Sequence, residues 1–246
     1  MQSKTMISKS EFEKLAKSKQ TDIENILREY CQHLFLSFLY RQRGSEKLLF
    51  KGGTALRIIY ESPRFSEDLD FTGMNISAVE VEEILANAFA EIERTGIEIE
   101  ISESKKTTGG YLAIATFTLH ERRISIQIEI SFRSGKKSEL GERTLINGDY
   151  APPYTLVQLS KEDLVQGKID ALVNRRKPRD FYDYYFFLSG NFPTVRETEN
   201  LKKVRDLLEY SKINFRSELG RFLPAGHASL MRDFRTILDR KIKEFL

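Results

Sequence analysis

Two aspartates one residue apart, Asp68 and Asp70 in "SEDLDF", carry the densest chemistry in this sequence. In an extended segment alternate side chains share a face. The spacing therefore predicts that both carboxylates project together while Leu69 and Phe71 pack behind them. Like charges this close repel, and burying either one alone is costly. A divalent cation resolves the conflict, because Mg²⁺ takes hard oxygen ligands, commonly one or two carboxylates together with substrate phosphates. Ion pairing with Arg57 or Arg64 at a sheet end would resolve it too.

The residues just upstream point toward phosphate. Gly52 and Gly53 lie between the short apolar run "KLLFK" and the helical pattern "TALRIIY". A strand-to-helix turn of this kind offers backbone N–H groups and the positive end of a helix dipole to an anion. Ordinary turn chemistry would also explain a glycine pair. The turn is not a P-loop, since "GGTALR" lacks the second glycine and the GK[ST] ending. A third acidic group is expected on a neighbouring strand, and "ISIQIEISF" offers Glu129, which shares a polar face with Gln127 and Ser131. Three carboxylates on two strands beside such a turn could hold two Mg²⁺ ions about 4 Å apart, the arrangement that serves in-line nucleotidyl transfer. The alternative for Glu129 is a plain exposed strand residue.

The elements that must position these groups follow from periodicity. Thr21 and Glu24 stand at capping-box spacing before apolar residues at helical intervals, so a helix is expected over about 22–42. The strand "KLLFK", the helix "TALRIIY" and the strand "SEDLDF" come next. Ser77 and Glu80 form a second capping box, opening a helix over about 78–94 that stops at Gly96. From Ile97 to Arg133 the pattern alternates with period two in "IEIEISE", "YLAIATFTLH" and "RISIQIEISF", which predicts a mainly antiparallel sheet. Residues 134–153 read as irregular connection. Everything after them reads as helical: Ser160 caps "KEDLVQGKIDALVNRR", Pro178 opens "RDFYDYYFFL", and further helices are expected over about 195–211 and 228–245. The fold class expected is α+β, with an α+β domain and its N-terminal helices over 1–150 and an all-helical domain over 151–246. The aromatic run "FYDYYFF" could stack on bases, but its helical spacing favours a core.

Composition narrows the class. The chain has 246 residues, 40% hydrophobic and 30% charged, and a formal net charge of +3. No apolar run reaches the ~20 residues that span a bilayer, and the polar N-terminus lacks a signal-like core, so no membrane is expected and a cytoplasmic protein is. The single cysteine, Cys31, excludes an internal disulfide and a cysteine-rich zinc site. His33, His120 and His227 are scattered and form no metal motif. Cation clusters at "RRKPR" (175–179) and along 201–246 could meet phosphates or form a solvated helical face.

"KGGTALRIIYESPRFSEDLDF" closely resembles the first motif of the AbiEii/AbiGii toxin family, nucleotidyltransferase-like proteins of the polymerase-β superfamily. "LSKEDLVQGKIDALVNRRKPRDFYDYYFFL" resembles that family's helical motif, with its Lys, Ala-Leu, Arg and Arg-Asp-x-x-Asp. The resemblance covers roughly residues 45–190 and implies the toxin half of a bacterial toxin–antitoxin or abortive-infection module. It implies phosphate contact by Gly52, Gly53 and Thr54, metal ligation by Asp68 and Asp70, and functional roles for Lys168 and Asp180. Asp183 lies one helical turn beyond Asp180, and Arg175 or Arg179 could pair with these carboxylates. The chain departs from the motif at Gln166-Gly167, where relatives commonly carry Ala-Glu, but Lys168 is kept. Superfamily members commonly carry Asp or Glu as the third carboxylate, which Glu129 fits.

The expected function is a nucleotidyltransferase dependent on Mg²⁺, or on Mn²⁺ in its place. It would move a nucleotide from a nucleoside triphosphate to an acceptor, with the tRNA 3′ end or another RNA as the candidate and a cognate antitoxin as a further partner. A metal-dependent nuclease would use the same carboxylates without needing Gly52-Gly53 or Lys168. A module that binds nucleotide or RNA without turnover is the third reading.

Overall fold

A computed structural model describes residues 7–135 and 141–246. The chain divides into two compact units, 1–61 with 65–159, and 62–64 with 160–246. The junction at 159/160 lies beyond the one expected at 150/151, because a strand at 154–158 pairs inside the first unit.

The first unit opens with α1 (Lys9–Ser18), capped by Ser8 and Glu11 in a reciprocal capping box. Helix α2 (Ile23–Leu39) follows. The capping box expected at Thr21 and Glu24 does not form. Asp22 is the N-cap residue, Thr21 accepts a 2.9 Å hydrogen bond from the Asn25 side chain, and Glu24 pairs with Arg28 one turn on. Then come β1 (Leu48–Lys51), α3 (Gly52–Tyr60), β2 (Leu69–Met74) and α4 (Ala78–Glu93), the last with the Ser77–Glu80 capping box in place. The period-two region becomes β3 (Glu98–Thr107), β4 (Gly110–Leu119) and β5 (Arg122–Arg133).

Residues 134–153 were expected to be irregular, and everything after them helical. Two further strands correct both expectations: β6 (Glu142–Ile146) and β7 (Tyr154–Gln158). Each has five residues, too few to show a period. They become strands because β7 lies parallel to β1, with Phe50 opposite Gln158, and β6 pairs antiparallel with β7. Residues 136–140 of this connection lie outside the described residues. The Tyr40 hydroxyl, 2.7 Å from Leu48 O and 2.8 Å from Val157 O, ties the end of α2 to both β1 and β7.

The sheet order is β3-β4-β5-β2-β1-β7-β6. It is mixed: β1–β2, β3–β4, β4–β5 and β6–β7 are antiparallel, whereas β2–β5 and β1–β7 are parallel. Phe50, Leu69, Phe71, Ile128 and Ile130 are buried, and the Phe50 and Phe71 rings meet at 5.3 Å. Helices α2 and α4 pack on each other and on the sheet, with Phe35 against Phe89 at 5.3 Å. Strand alternation sends the intervening residues Lys51, Asp70 and Glu129 to the other side.

The second unit is helical: α5 (Lys161–Arg175), α6 (Pro178–Ser189), α7 (Thr198–Tyr210), α8 (Phe215–Leu219), α9 (Ala228–Arg232) and α10 (Phe234–Lys243). The single helix expected over 228–245 is broken at Asp233, whose φ of −117° and ψ of 21° leave the helical region. Phe181, Tyr182, Tyr184 and Phe187 are buried, so most of the aromatic run is core. Phe181 meets Phe215 at 5.7 Å, and Phe215 meets Phe234 at 4.9 Å. No helix among the described residues is long and apolar enough to cross a membrane.

Candidate active site

The site is built on three adjacent strands. Asp70 on β2 lies opposite Lys51 on β1 and opposite Glu129 on β5, so one ammonium and two carboxylates form a single row across the sheet. Directly paired residues share a face, and the row is therefore polar, while its flanking rows are apolar and buried. Glu129 is exposed and accepts a short hydrogen bond from Gln127 two residues earlier, so the polar face expected for "IQIEIS" is present. Asp68 lies one residue before the first paired residue of β2 rather than within a strand. The alternation continues through it nonetheless, with Asp68 and Asp70 half-buried and Leu69 and Phe71 buried.

Helix α3 begins at Gly52, immediately after the row. Gly52 has φ +86°, a left-handed conformation that L side chains rarely adopt. A Cβ on it would come within 2.0 Å of Asp70 Oδ2 and 2.9 Å of Asp70 Cβ. The missing side chain at Gly52 therefore makes room for the Asp70 carboxylate itself. The carboxylate stands at the first residue of a helix, where the dipole favours negative charge. Gly53 and Thr54 continue the first turn, whose N–H groups have no partner within the helix. Both residues are buried.

The Thr54 side chain is committed. Its hydroxyl donates a short hydrogen bond to the backbone carbonyl of Asp68 and is fully buried. The side chain thus pins the aspartate segment to α3, which leaves the backbone N–H as the group Thr54 presents at the helix start.

Arg57, further along α3, donates from Nε to Glu29 Oε1 at 2.6 Å, and its guanidinium lies 3.9 Å from the centroid of the Phe65 ring. Glu29 also accepts a 2.6 Å bond from the Tyr150 hydroxyl. Burial works to raise the Glu29 pKa, but Arg57 and Tyr150 outweigh it and hold the carboxyl below its usual range. This network anchors α3, and with it the glycine turn, to α2.

Lys51 was not singled out by the sequence reading, although it stands directly before the glycine pair. Burial pulls its pKa below the ordinary lysine range, with Asp70 and Glu129 opposing that shift and Arg133 adding to it. The signal that could have found it is pairing: once β1 and β2 are known to be antiparallel, Lys51 falls opposite Asp70.

Lys168 and Asp180 belong to the second unit, where both are engaged. Lys168 Nζ donates to Asp183 Oδ2 at 2.7 Å. Arg64, also counted in that unit, grips the same carboxylate from Nε at 2.8 Å and from its second terminal nitrogen at 3.0 Å. Asp183 is fully buried and Arg64 is 4% exposed. Burial would raise the Asp183 pKa, yet Arg64 and Lys168 together hold it below the usual carboxylate range. Asp180 is also buried, and Arg175 bonds both of its oxygens, from Nε at 2.9 Å and from a terminal nitrogen at 2.7 Å. Asp180 also accepts the Lys177 N–H at 3.2 Å, which caps the start of α6. The pairing expected of Arg175 is therefore with Asp180, while Asp183 takes Arg64 and Lys168.

Each histidine has a partner of its own. His33 Nδ1 lies 3.0 Å from the Tyr154 hydroxyl, His120 Nε2 lies 2.9 Å from Ile7 O, and His227 Nδ1 lies 3.2 Å from the Tyr182 hydroxyl. Cys31 is buried in α2. Among the described residues no three His, Cys, Asp or Glu side chains converge into a ready-made metal cage. The donors that do stand together on this face, Asp70 and Glu129 in register with Asp68 two residues before Asp70, are hard carboxylate oxygens. They fit a cation that needs only one or two protein carboxylates, the substrate's phosphates and water supplying the rest.

The chain was compared with known proteins. A family model described as nucleotidyl transferase AbiEii toxin, type IV toxin–antitoxin system, matches residues 35–241. None of the curated proteins matches the chain. Among solved structures, the nucleotidyltransferase toxin MenT4 of Mycobacterium tuberculosis superposes with a TM-score of 0.64 at 18% identity, covering 97% of this chain and 90% of that one. JHP933 from Helicobacter pylori superposes with a TM-score of 0.56 at 19% identity over 91% of this chain and 95% of that one. A putative nucleotidyltransferase from H. pylori gives 0.54 at 18% identity over 91% and 98%. These likenesses establish a shared fold, and the family match spans most of the chain. The chain therefore belongs to the AbiEii family of nucleotidyl transferase toxins of type IV toxin–antitoxin systems.

Proposed function

We propose that transfer is carried out on the row formed by Lys51, Asp70 and Glu129, with Asp68 beside it and the α3 turn as the phosphate seat. The family is one of nucleotidyltransferases, whose substrate is a nucleotide and whose setting pairs the toxin with an antitoxin. Nucleotidyltransferases generally work with a divalent metal, and in this reading Asp68 and Asp70 hold it, as Mg²⁺ or Mn²⁺, with Glu129 as the third carboxylate. Once bound, such an ion would neutralise phosphate charge and polarise the reacting phosphoryl group.

The observation that carries the proposal is the packing of the Asp70 carboxylate into the space left by Gly52. This packing supports reading the aspartate segment and the glycine turn as parts of one site. The N–H groups of Gly53 and Thr54 orient the triphosphate, and Thr54 holds the Asp68 segment through its hydroxyl. Lys168 keeps the nucleotide-binding role implied by the family motif, through ammonium donors beyond the one given to Asp183. Asp180 acts by positioning, holding the α5–α6 corner. An acceptor hydroxyl attacks the α-phosphorus in line. The new P–O bond forms as the bond to the bridging oxygen breaks, the hydroxyl proton passes to water, and pyrophosphate leaves. Catalysis is then mostly alignment and charge neutralisation.

We take the acceptor to be RNA, with the tRNA 3′ end as the first candidate. A nucleotide added there would block aminoacylation, which is a direct route to arrested translation. The test incubates the protein with each α-labelled nucleoside triphosphate, Mg²⁺ and total bacterial RNA. The expected result is label in a discrete RNA band, absent with Asp70→Ala. Label in protein or in a small molecule would replace the acceptor, and RNA cleavage without incorporation would replace the reaction with a nuclease.

A further inference from the structure

We propose that Lys51 is a catalytic residue of this enzyme, contacting the β- and γ-phosphates of the bound nucleotide from the sheet row that carries Asp70 and Glu129. This rests on the reading above that the row faces the nucleotide. Three observations lead to it.

The first is position. Lys51 is at once the last residue of β1, the Cα partner of Asp70 and the N-cap residue of α3. A cation at that point is fixed to both halves of the site, because the strand sets its row and the helix start sets its distance from the turn's N–H groups. Backbone placement of this kind positions a charge more tightly than a loop does.

The second is that its charge is not spent on the protein. Among the described residues the Lys51 side chain makes no hydrogen bond and no ion pair, although it is half-buried. Arg57, by contrast, is occupied by Glu29, Arg64 and Lys168 by Asp183, and Arg175 by Asp180. An ammonium brings three donors. Half-burial costs an ammonium part of its hydration, and a phosphate group offsets that cost on binding.

The third is local charge. Lys51 is the cation of a row whose other two polar members are carboxylates, so it is the member of the row suited to an anion. Lysine suits that task as a compact point charge that needs no planar fork. During transfer, negative charge accumulates on the departing pyrophosphate, so the same contact is worth more in the transition state than before it.

The experiment measures equilibrium binding of fluorescent nucleoside monophosphates and non-hydrolysable α,β-methylene triphosphates, with Mg²⁺, to the full-length wild type, Lys51→Gln and Lys51→Arg. Label incorporation is measured in parallel, and thermal melting confirms that the variants fold. For Lys51→Gln we expect triphosphate affinity about ten-fold weaker, with monophosphate affinity changed by less than about two-fold. Lys51→Arg should recover most of the loss. A folded Lys51→Gln that binds and turns over triphosphate like wild type overturns the proposal. So does an equal loss for mono- and triphosphate, which is the mark of a merely structural residue. Asp70→Ala separates the two levels. Full incorporation by Asp70→Ala overturns the reading of the row as the reaction site. Inactivity of Asp70→Ala beside a normal Lys51→Gln overturns only the role of Lys51.

Discussion

Asp70 and Gly52 share one space: a methyl group on Gly52 would lie 2.0 Å from Asp70 Oδ2. The glycine turn and the aspartate strand, 18 positions apart in the sequence, are therefore a single steric unit. Gly52→Ala must both strain a φ of +86° and displace the carboxylate. The expected stability loss is about 1–3 kcal/mol by urea unfolding. The expected activity loss is far larger, on the order of 100-fold, because the carboxylate is misplaced. An alanine variant that transfers nucleotide at the wild-type rate would show that Asp70 has no fixed place in the reaction.

Thr54 acts through Asp68. Its buried hydroxyl donates to the Asp68 carbonyl, so Thr54→Val removes that donor while keeping the shape. We expect about 1–2 kcal/mol of destabilisation and a rise in the Mg²⁺ concentration needed for half-maximal transfer. Thr54→Ser should behave like wild type in both measurements. Coincident Mg²⁺ titrations for the valine variant and wild type would contradict this role.

Asp183 binds two cations in a fully buried place, Arg64 and Lys168. Asp183→Ala leaves both without their counterion and should destabilise the protein by about 3–5 kcal/mol. The pH dependence has a definite sign. The folded-state pKa of Asp183 is lowered, so its contribution is complete above the ordinary aspartate value of about 3.9 and is lost as pH falls below it. Chemical denaturation between pH 3 and 5 should show this loss in wild type and not in a folded Asp183→Asn. Equal slopes in the two proteins would remove the triad from the account of acid stability.

His33 gives a second pH signature at higher pH. Burial lowers its pKa to about 4, against an unfolded value of about 6.5. The unfolded chain therefore binds a proton that the folded chain refuses, and stability should rise with pH across that window. The His33 imidazole, followed by NMR, should stay neutral down to about pH 4. A midpoint near 6.5 would show that the ring is solvated.

Local patterns that repeat within a few residues were readable directly. The period-two segments became β3, β4 and β5, the Ser77–Glu80 box started α4, and Ser160 and Pro178 opened α5 and α6. Where two local signals competed, the spacing misled: Thr21 and Glu24 satisfy the capping rule, yet Asp22 took the cap position. The short strands β6 and β7 left no period to read, since the pairing of β7 with β1 and of β6 with β7 is what makes them strands.

For the strand row, the sequence alone determined which chemical groups exist and in what order: a glycine turn, two aspartates and a glutamate on a polar strand face. Those are properties of adjacent residues and of side-chain alternation, which need no third dimension. Only the tertiary structure decided their partners. It placed Glu129 and Lys51 on either side of Asp70, filled the space at Gly52 with a carboxylate, and gave Lys168 to Asp183 and Arg175 to Asp180. Strand register and helix packing set those pairings, and the register that joins Asp70 to Lys51 and Glu129 brings together residues 19 and 59 positions apart, a distance no local pattern encodes.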